Sequence, residues 1–85
     1  MNFNQKRKKA LILEQMNKIY EQALQLIAKN ENEKLLVKAY ENPRVAIDFS
    51  LYLRIRFQNL LISLSKLCEI TREQAFFMFK EFYNL

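Results

Sequence analysis

An 85-residue chain with no glycine at all and a single proline has few means of turning back sharply on itself. Tight hairpins depend on residues that accept φ > 0, and bulges and corners lean on glycine in the same way. The composition therefore predicts an all-α fold. The one proline, Pro43, follows Asn42, and the pair reads both as a stop and as a start. The residue before a proline is disfavoured in the helical region, so a helix should end there. Asn42 is also a good N-cap, and proline suits the first helical position, where its missing N–H leaves nothing unsatisfied.

Taken in order, residues 1–7 show no periodic pattern and are expected to lack fixed structure. A helix over about 8–29 follows, with Leu13, Met16, Tyr20, Ala23, Leu24 and Ile27 on one stripe. Asn30 is the expected cap of a second helix over about 31–41, with Glu33 three residues on as in a capping box. The third helix is predicted over about 43–67. Ala46, Phe49, Leu53, Phe57, Leu60, Leu64 and Leu67 form its core stripe. At 1.5 Å per residue it would be roughly 37 Å long, so the rest of the chain is expected to organise around it. Thr71 and Gln74 make a capping box before a last helix over about 72–83. Its core side is Ala75, Phe76, Phe79, Phe82 and Tyr83. The short connections predict an antiparallel four-helix bundle, one domain over residues 1–85.

Little in the sequence suits catalysis. There is no histidine, the commonest general base and metal ligand. The single cysteine, Cys68, allows no internal disulfide framework and no zinc site, and reads as a small buried hydrophobe in a reducing compartment. Without glycine there is no phosphate-cradling loop. Glu14, Glu21, Glu31 and Glu33 read as helix surface charges. Asp48, set within the apolar third helix, is expected to pair with Arg44 or Tyr52 one turn away. No enzyme activity, cofactor or metal is expected.

Charge is unevenly spread. Lys and Arg number 14 against 9 Asp and Glu, and Lys6, Arg7, Lys8 and Lys9 carry four of the net +5. This basic tip suits phosphates of nucleic acid or of anionic lipid. A helix-turn-helix across Cys68–Thr71 would give a recognition helix with Glu73, Glu81 and few base-reading side chains, which argues against nucleic acid. The apolar run Ala10–Leu13 is too short for a signal peptide, being interrupted at Glu14. Asp48, Arg54, Arg56 and Lys66 make the later apolar stretch unsuited to crossing a membrane. A soluble, cytoplasmic protein is expected.

The third helix carries a second apolar strip, Ile47, Leu51, Ile55 and Ile62, opposite its core stripe. Together with Phe77 and Lys80 on the outer side of the last helix, these are the candidate partner-binding residues. The strip has three readings: a patch for another protein, a homodimer seam, or a surface covered by the first or second helix. Lys6, Arg7, Lys8 and Lys9 are the candidate membrane or phosphate contacts.

The ordering of elements resembles the class II (pediocin-like, enterocin A type) bacteriocin immunity protein family. The residues that carry the resemblance are Leu35-Leu36-Val37-Lys38-Ala39-Tyr40-Glu41-Asn42-Pro43, then Phe49, Tyr52 and Leu53, and Ile70-Thr71-Arg72-Glu73-Gln74 before the last helix. The similarity spans roughly Ala10 to Leu85 and lies in pattern, length and charge. It implies a small cytoplasmic four-helix bundle that protects a producer cell from its own toxin. The implied action is non-enzymatic: binding, at the inner membrane face, to a receptor permease complex such as the mannose phosphotransferase system. Many members extend beyond the last helix, and that part helps select the toxin. Here the sequence ends at Leu85, which leaves the last helix and Phe77 as the specificity candidates. Two other readings stand beside this one: a small nucleic-acid-associated or regulatory helical protein, and a homodimeric structural subunit.

Overall fold

Every helix start in the protein is set by a side chain that accepts a backbone N–H, and these caps explain where the structure departs from the periodicity. The computed structural model describes all residues from Met1 to Leu85 and contains helices and no strand. Helix α1 runs over Phe3–Lys29, α2 over Glu33–Glu41, α3 over Pro43–Asp48, α4 over Leu51–Cys68 and α5 over Arg72–Phe82. There are five helices, not four.

The first difference lies at the amino terminus. Residues 3–7, expected to lack fixed structure, are the first turns of α1. Asn2 caps them: its Oδ1 accepts from Gln5 N at 2.9 Å, and Gln5 Oε1 accepts from Asn2 N at 2.9 Å. This reciprocal pair satisfies two N–H groups that a helix start leaves open. At the other end, Asn30 does not cap the second helix. It closes the first, donating from Nδ2 to the Leu26 carbonyl at 2.8 Å. The cap of α2 is Asn32, whose Oδ1 accepts from Leu35 N at 3.2 Å.

The predicted 43–67 helix is broken at Phe49-Ser50. Ser50 adopts extended backbone (φ −121°, ψ 126°), and its Oγ accepts from Leu53 N, restarting the chain as α4. The break re-aims α3. On one continuous helix Ala46 and Phe49 would face the core and Ile47 would not. Instead Pro43, Ala46 and Ile47 are buried while Phe49, expected in the core stripe, is exposed. The reward is contact: α3 packs on α1, α2 and α4 together. On α4 itself the interior residues are Leu53, Phe57, Leu61 and Leu64, with Leu60 and Leu67 half-buried.

The organising element is also different. Helix α1, at 27 residues, would be about 40 Å long, close to the 44 Å long axis of the molecule. It packs against all four other helices. Its beginning lies beside the end of α4, where Met1 and Gln5 border one hollow with Leu67, Cys68 and Glu69. Its last turns lie beside the start of α4, where Gln22, Gln25, Leu26 and Lys29 border another with Ser50, Tyr52 and Leu53. These two helices therefore run in opposite directions. The buried stripe of α1, Leu13, Met16, Ile19, Tyr20, Ala23 and Ile27, is the wall on which the rest is built.

Aromatic rings fill the space between α1, α4 and α5. Phe79 meets Phe57 at 5.3 Å, Phe76 at 6.2 Å, Tyr83 at 5.6 Å and Tyr20 at 6.5 Å between centroids. Most of these are edge-on or tilted, the arrangements that the ring quadrupole favours. Tyr20 extends the cluster to α2 by donating its hydroxyl to the Ala39 carbonyl at 3.3 Å. Arg44 on α3 lays its guanidinium 4.1 Å from the centre of the Phe76 ring. No buried side-chain nitrogen or oxygen is left without a partner. Phe82, expected in the core, is instead exposed.

A chain without glycine still has to end its helices, and after α1, α4 and α5 it does so with left-handed residues that carry a Cβ. Glu31, Glu69 and Asn84 sit at φ 55°, 55° and 56°. After α4, Ile70 N donates to the Ser65 carbonyl at 3.0 Å across Glu69, the closing bond of a Schellman motif. The same bond runs from Asn32 N to Ile27 O across Glu31, and from Leu85 N to Lys80 O across Asn84. Left-handed geometry costs a non-glycine residue about 1–2 kcal/mol, least for Asn. Glu69→Gly is accordingly expected to stabilise the fold by about 1 kcal/mol, raising Tm by roughly 4–8 °C in a thermal melt.

Candidate functional site

No cleft in this molecule gathers reactive groups. No group of three or more His, Cys, Asp or Glu is placed to hold a metal ion. Glu14 pairs with Lys18 at 3.4 Å on an exposed face, and Glu21 accepts from Asn17 at 3.1 Å. Asp48 pairs with neither of its expected partners: the Arg44 guanidinium lies over Phe76, Tyr52 makes no hydrogen bond to it, and Glu14–Lys18 is the one ion pair present. Cys68 is half-buried rather than interior. Burial raises the Tyr20 hydroxyl above its ordinary pKa, with a smaller contribution from Tyr40. Burial likewise raises Tyr83, helped by the carboxylates of Glu14 and Glu21. The distinctive features are on the surface.

The outer face of α4 is the first. At 100° per residue Leu51, Ile55, Gln58 and Ile62 fall within about 60° of one another, opposite Leu53, Phe57, Leu61 and Leu64. Leu51 is 61% exposed and Ile55 52%, while Ile62 is half-buried. Ile47 does not belong to this strip. It is 2% exposed, because the break at Ser50 turns α3 so that Ile47 faces inward against the core. The structure thus keeps Leu51 and Ile55 as an exposed ridge, with Ile62 at its margin, and removes Ile47. Tyr52, 67% exposed, stands beside the ridge with the Arg56 guanidinium 5.4 Å from its ring centre. Phe77 is exposed and Lys80 half-buried; they border a separate depression with Glu81, Asn84 and Leu85. They share no hollow with the α4 ridge.

The second feature is the basic end of α1. Lys6, Arg7 and Lys8 are exposed and Lys9 is half-buried, all held on regular helix. No acidic residue offsets them in the first turn, so they repel the positive end of the helix dipole. Met1, Phe3 and Leu11 are exposed among them, and Phe82 joins them from α5: Met1, Lys6, Lys9, Ala10, Leu13 and Phe82 line one hollow of about 420 Å³. Sequence periodicity missed these apolar members. The signal that would have found Phe3 is the Asn2–Gln5 capping pair, which starts the helix five residues earlier.

No family model, no curated protein and no solved structure matches the chain. No helix is long and apolar enough to cross a membrane.

The burial difference along the former strip is directly measurable. Ile47→Ala is expected to cost about 2–5 kcal/mol in denaturant unfolding, as for other buried aliphatic truncations. Ile55→Ala is expected to change stability by less than about 0.5 kcal/mol. Equal effects would mean that α3 and α4 are one continuous helix.

Proposed function

We propose that this chain acts by binding rather than by catalysis, as an immunity-type protein that protects its cell from a class II bacteriocin. The observation that carries the reading is the exposed α4 ridge, Leu51 and Ile55 flanked by Tyr52 and Arg56, standing opposite a fully packed core face. Exposed aliphatic residues in line along a rigid helix, with an aromatic and an arginine beside them, have the composition of an interface centre. The resemblance in Leu35–Pro43 and Ile70–Gln74 supplies the class of partner: a receptor permease complex at the inner membrane face.

In this reading α3 and α4 count together as one broken leg of an antiparallel four-helix bundle. The protein works in the cytoplasm, with the ridge toward its protein partner and the basic end of α1 toward the membrane. Phe77 and Lys80 form a second, smaller contact available for choosing among toxins. A homodimer seam on the same ridge is the competing use of the surface, and light scattering separates the two.

The test is survival. Expressed in a sensitive strain challenged with a panel of class II bacteriocins, the wild-type chain is expected to protect against at least one. Leu51→Glu/Ile55→Glu, both on exposed positions, is expected to keep its helical circular dichroism and lose protection. Unchanged sensitivity to every toxin with the wild-type chain would overturn the proposal.

A further inference from the structure

We infer that the pole formed by the first turns of α1 and the end of α5 is a docking surface for anionic phospholipid. The inference deepens the membrane-facing part of the reading above, but rests on its own observations. Around α1, at 100° per residue, Lys9, Lys6, Ala10, Phe3, Arg7 and Leu11 follow one another through about 200° of arc. Within that arc three cations share the surface with side chains that are apolar and open to solvent: Phe3 is 77% exposed and Leu11 47%. Phe82, 59% exposed, stands across the shared hollow from Lys6 and Lys9, with Met1 beside it.

Three physical points select the occupant. The charge is localised, since these few residues hold most of the net +5 of the whole chain. It is also unopposed within the first turn of the helix. The first turn has no acid, and the cations add to the positive helix end instead of opposing it. Glu69, bordering the neighbouring hollow with Met1 and Gln5, and Glu14, on the same arc of α1 one turn beyond Ala10 and paired with Lys18, are the acidic residues placed nearby. A sheet of phosphate headgroups complements both the side-chain charge and the dipole. Finally, the exposed Met1, Phe3, Leu11 and Phe82 lie among the cations, as in interfacial helices that insert apolar side chains below the headgroups. A nucleic-acid backbone would satisfy the charge and leave the apolar residues idle. Lipid uses both. The geometry also makes the contact an end-on one, because Leu51 lies near the opposite end of α4 from Cys68 and remains free for a partner.

Vesicle co-flotation tests this without any toxin, so its failure and that of the immunity reading are separable. The wild-type protein is expected to float with phosphatidylcholine:phosphatidylglycerol 7:3 vesicles and not with pure phosphatidylcholine, and to dissociate as salt is raised. Lys6→Gln/Arg7→Gln/Lys8→Gln/Lys9→Gln is expected to lower the partition coefficient at least ~10-fold, since each basic residue near an anionic surface contributes to binding. Phe3→Ser/Phe82→Ser, which keeps every charge, is expected to lower it several-fold. Lys18→Gln/Lys34→Gln/Lys38→Gln/Arg54→Gln removes the same number of charges elsewhere and is expected to retain most of the binding. All four proteins should show the same far-ultraviolet circular dichroism. Equal flotation with both vesicle types, or with none, overturns the inference. So does equal loss in the two quadruple variants. A salt-dependent shift of a 20-base-pair duplex in the absence of vesicle binding overturns it in favour of nucleic acid.

Discussion

The fold depends on one ring. Phe79 is fully buried and meets four other aromatic side chains, Tyr20 from α1, Phe57 from α4, and Phe76 and Tyr83 from its own helix region. A domain of this size is close to the limit at which a single hydrophobic core suffices. It has no disulfide and no metal group to help. Large rings answer that shortage, since each removes some 150–250 Å² from water and gains further from edge-to-face packing. The two remaining helices are tied to the same cluster by polar contacts on its members. Tyr20 reaches the Ala39 carbonyl in α2, and Arg44 of α3 covers Phe76. All five helices thus converge on one set of side chains.

The consequence is a division between a satisfied interior and an unsatisfied surface. Inside, no buried side-chain nitrogen or oxygen lacks a partner, and burial shifts the phenols of Tyr20 and Tyr83 further from ionising. Outside, the α4 ridge exposes Leu51 and Ile55, and the α1 pole gathers exposed cations and apolar side chains. The proposed function assigns a protein partner to the ridge and a lipid surface to the pole. Both are binding events, and both use residues whose removal leaves the Phe79 cluster intact.

Much of the interior was legible in the residues themselves. The stripe Leu13, Met16, Tyr20, Ala23 and Ile27 is buried as its spacing requires, and so are Leu53, Phe57, Leu64, Ala75, Phe76 and Phe79. The Thr71–Gln74 capping box forms with both bonds, at 2.9 and 3.0 Å. Asn42 caps α3, accepting from Arg44 N at 3.2 Å, with Pro43 in the first turn. What was not legible is where tertiary contact overrode local pattern. Ser50 is a permissible cap, but Leu53 three residues on cannot return the bond, so the local signal for a break is weak. The break is favoured by the fit of Ala46 and Ile47 against neighbouring helices. That single event misassigned Phe49 and Ile47 together and moved the organising role from the 43–67 segment to α1. Phe82 was misread as well: it has core spacing on α5, but it borders an open hollow with Lys6, Lys9 and Ala10 of α1 instead of being enclosed.

The most direct measurement is denaturant unfolding of Phe79→Ala, followed both by circular dichroism and by amide hydrogen exchange. If the ring joins α1, α4 and α5 into one cooperative unit, the variant loses about 3–5 kcal/mol. Amides of all three helices then lose protection together. Loss of protection confined to α5, with the α1–α4 pair unfolding at its original midpoint, would contradict the account.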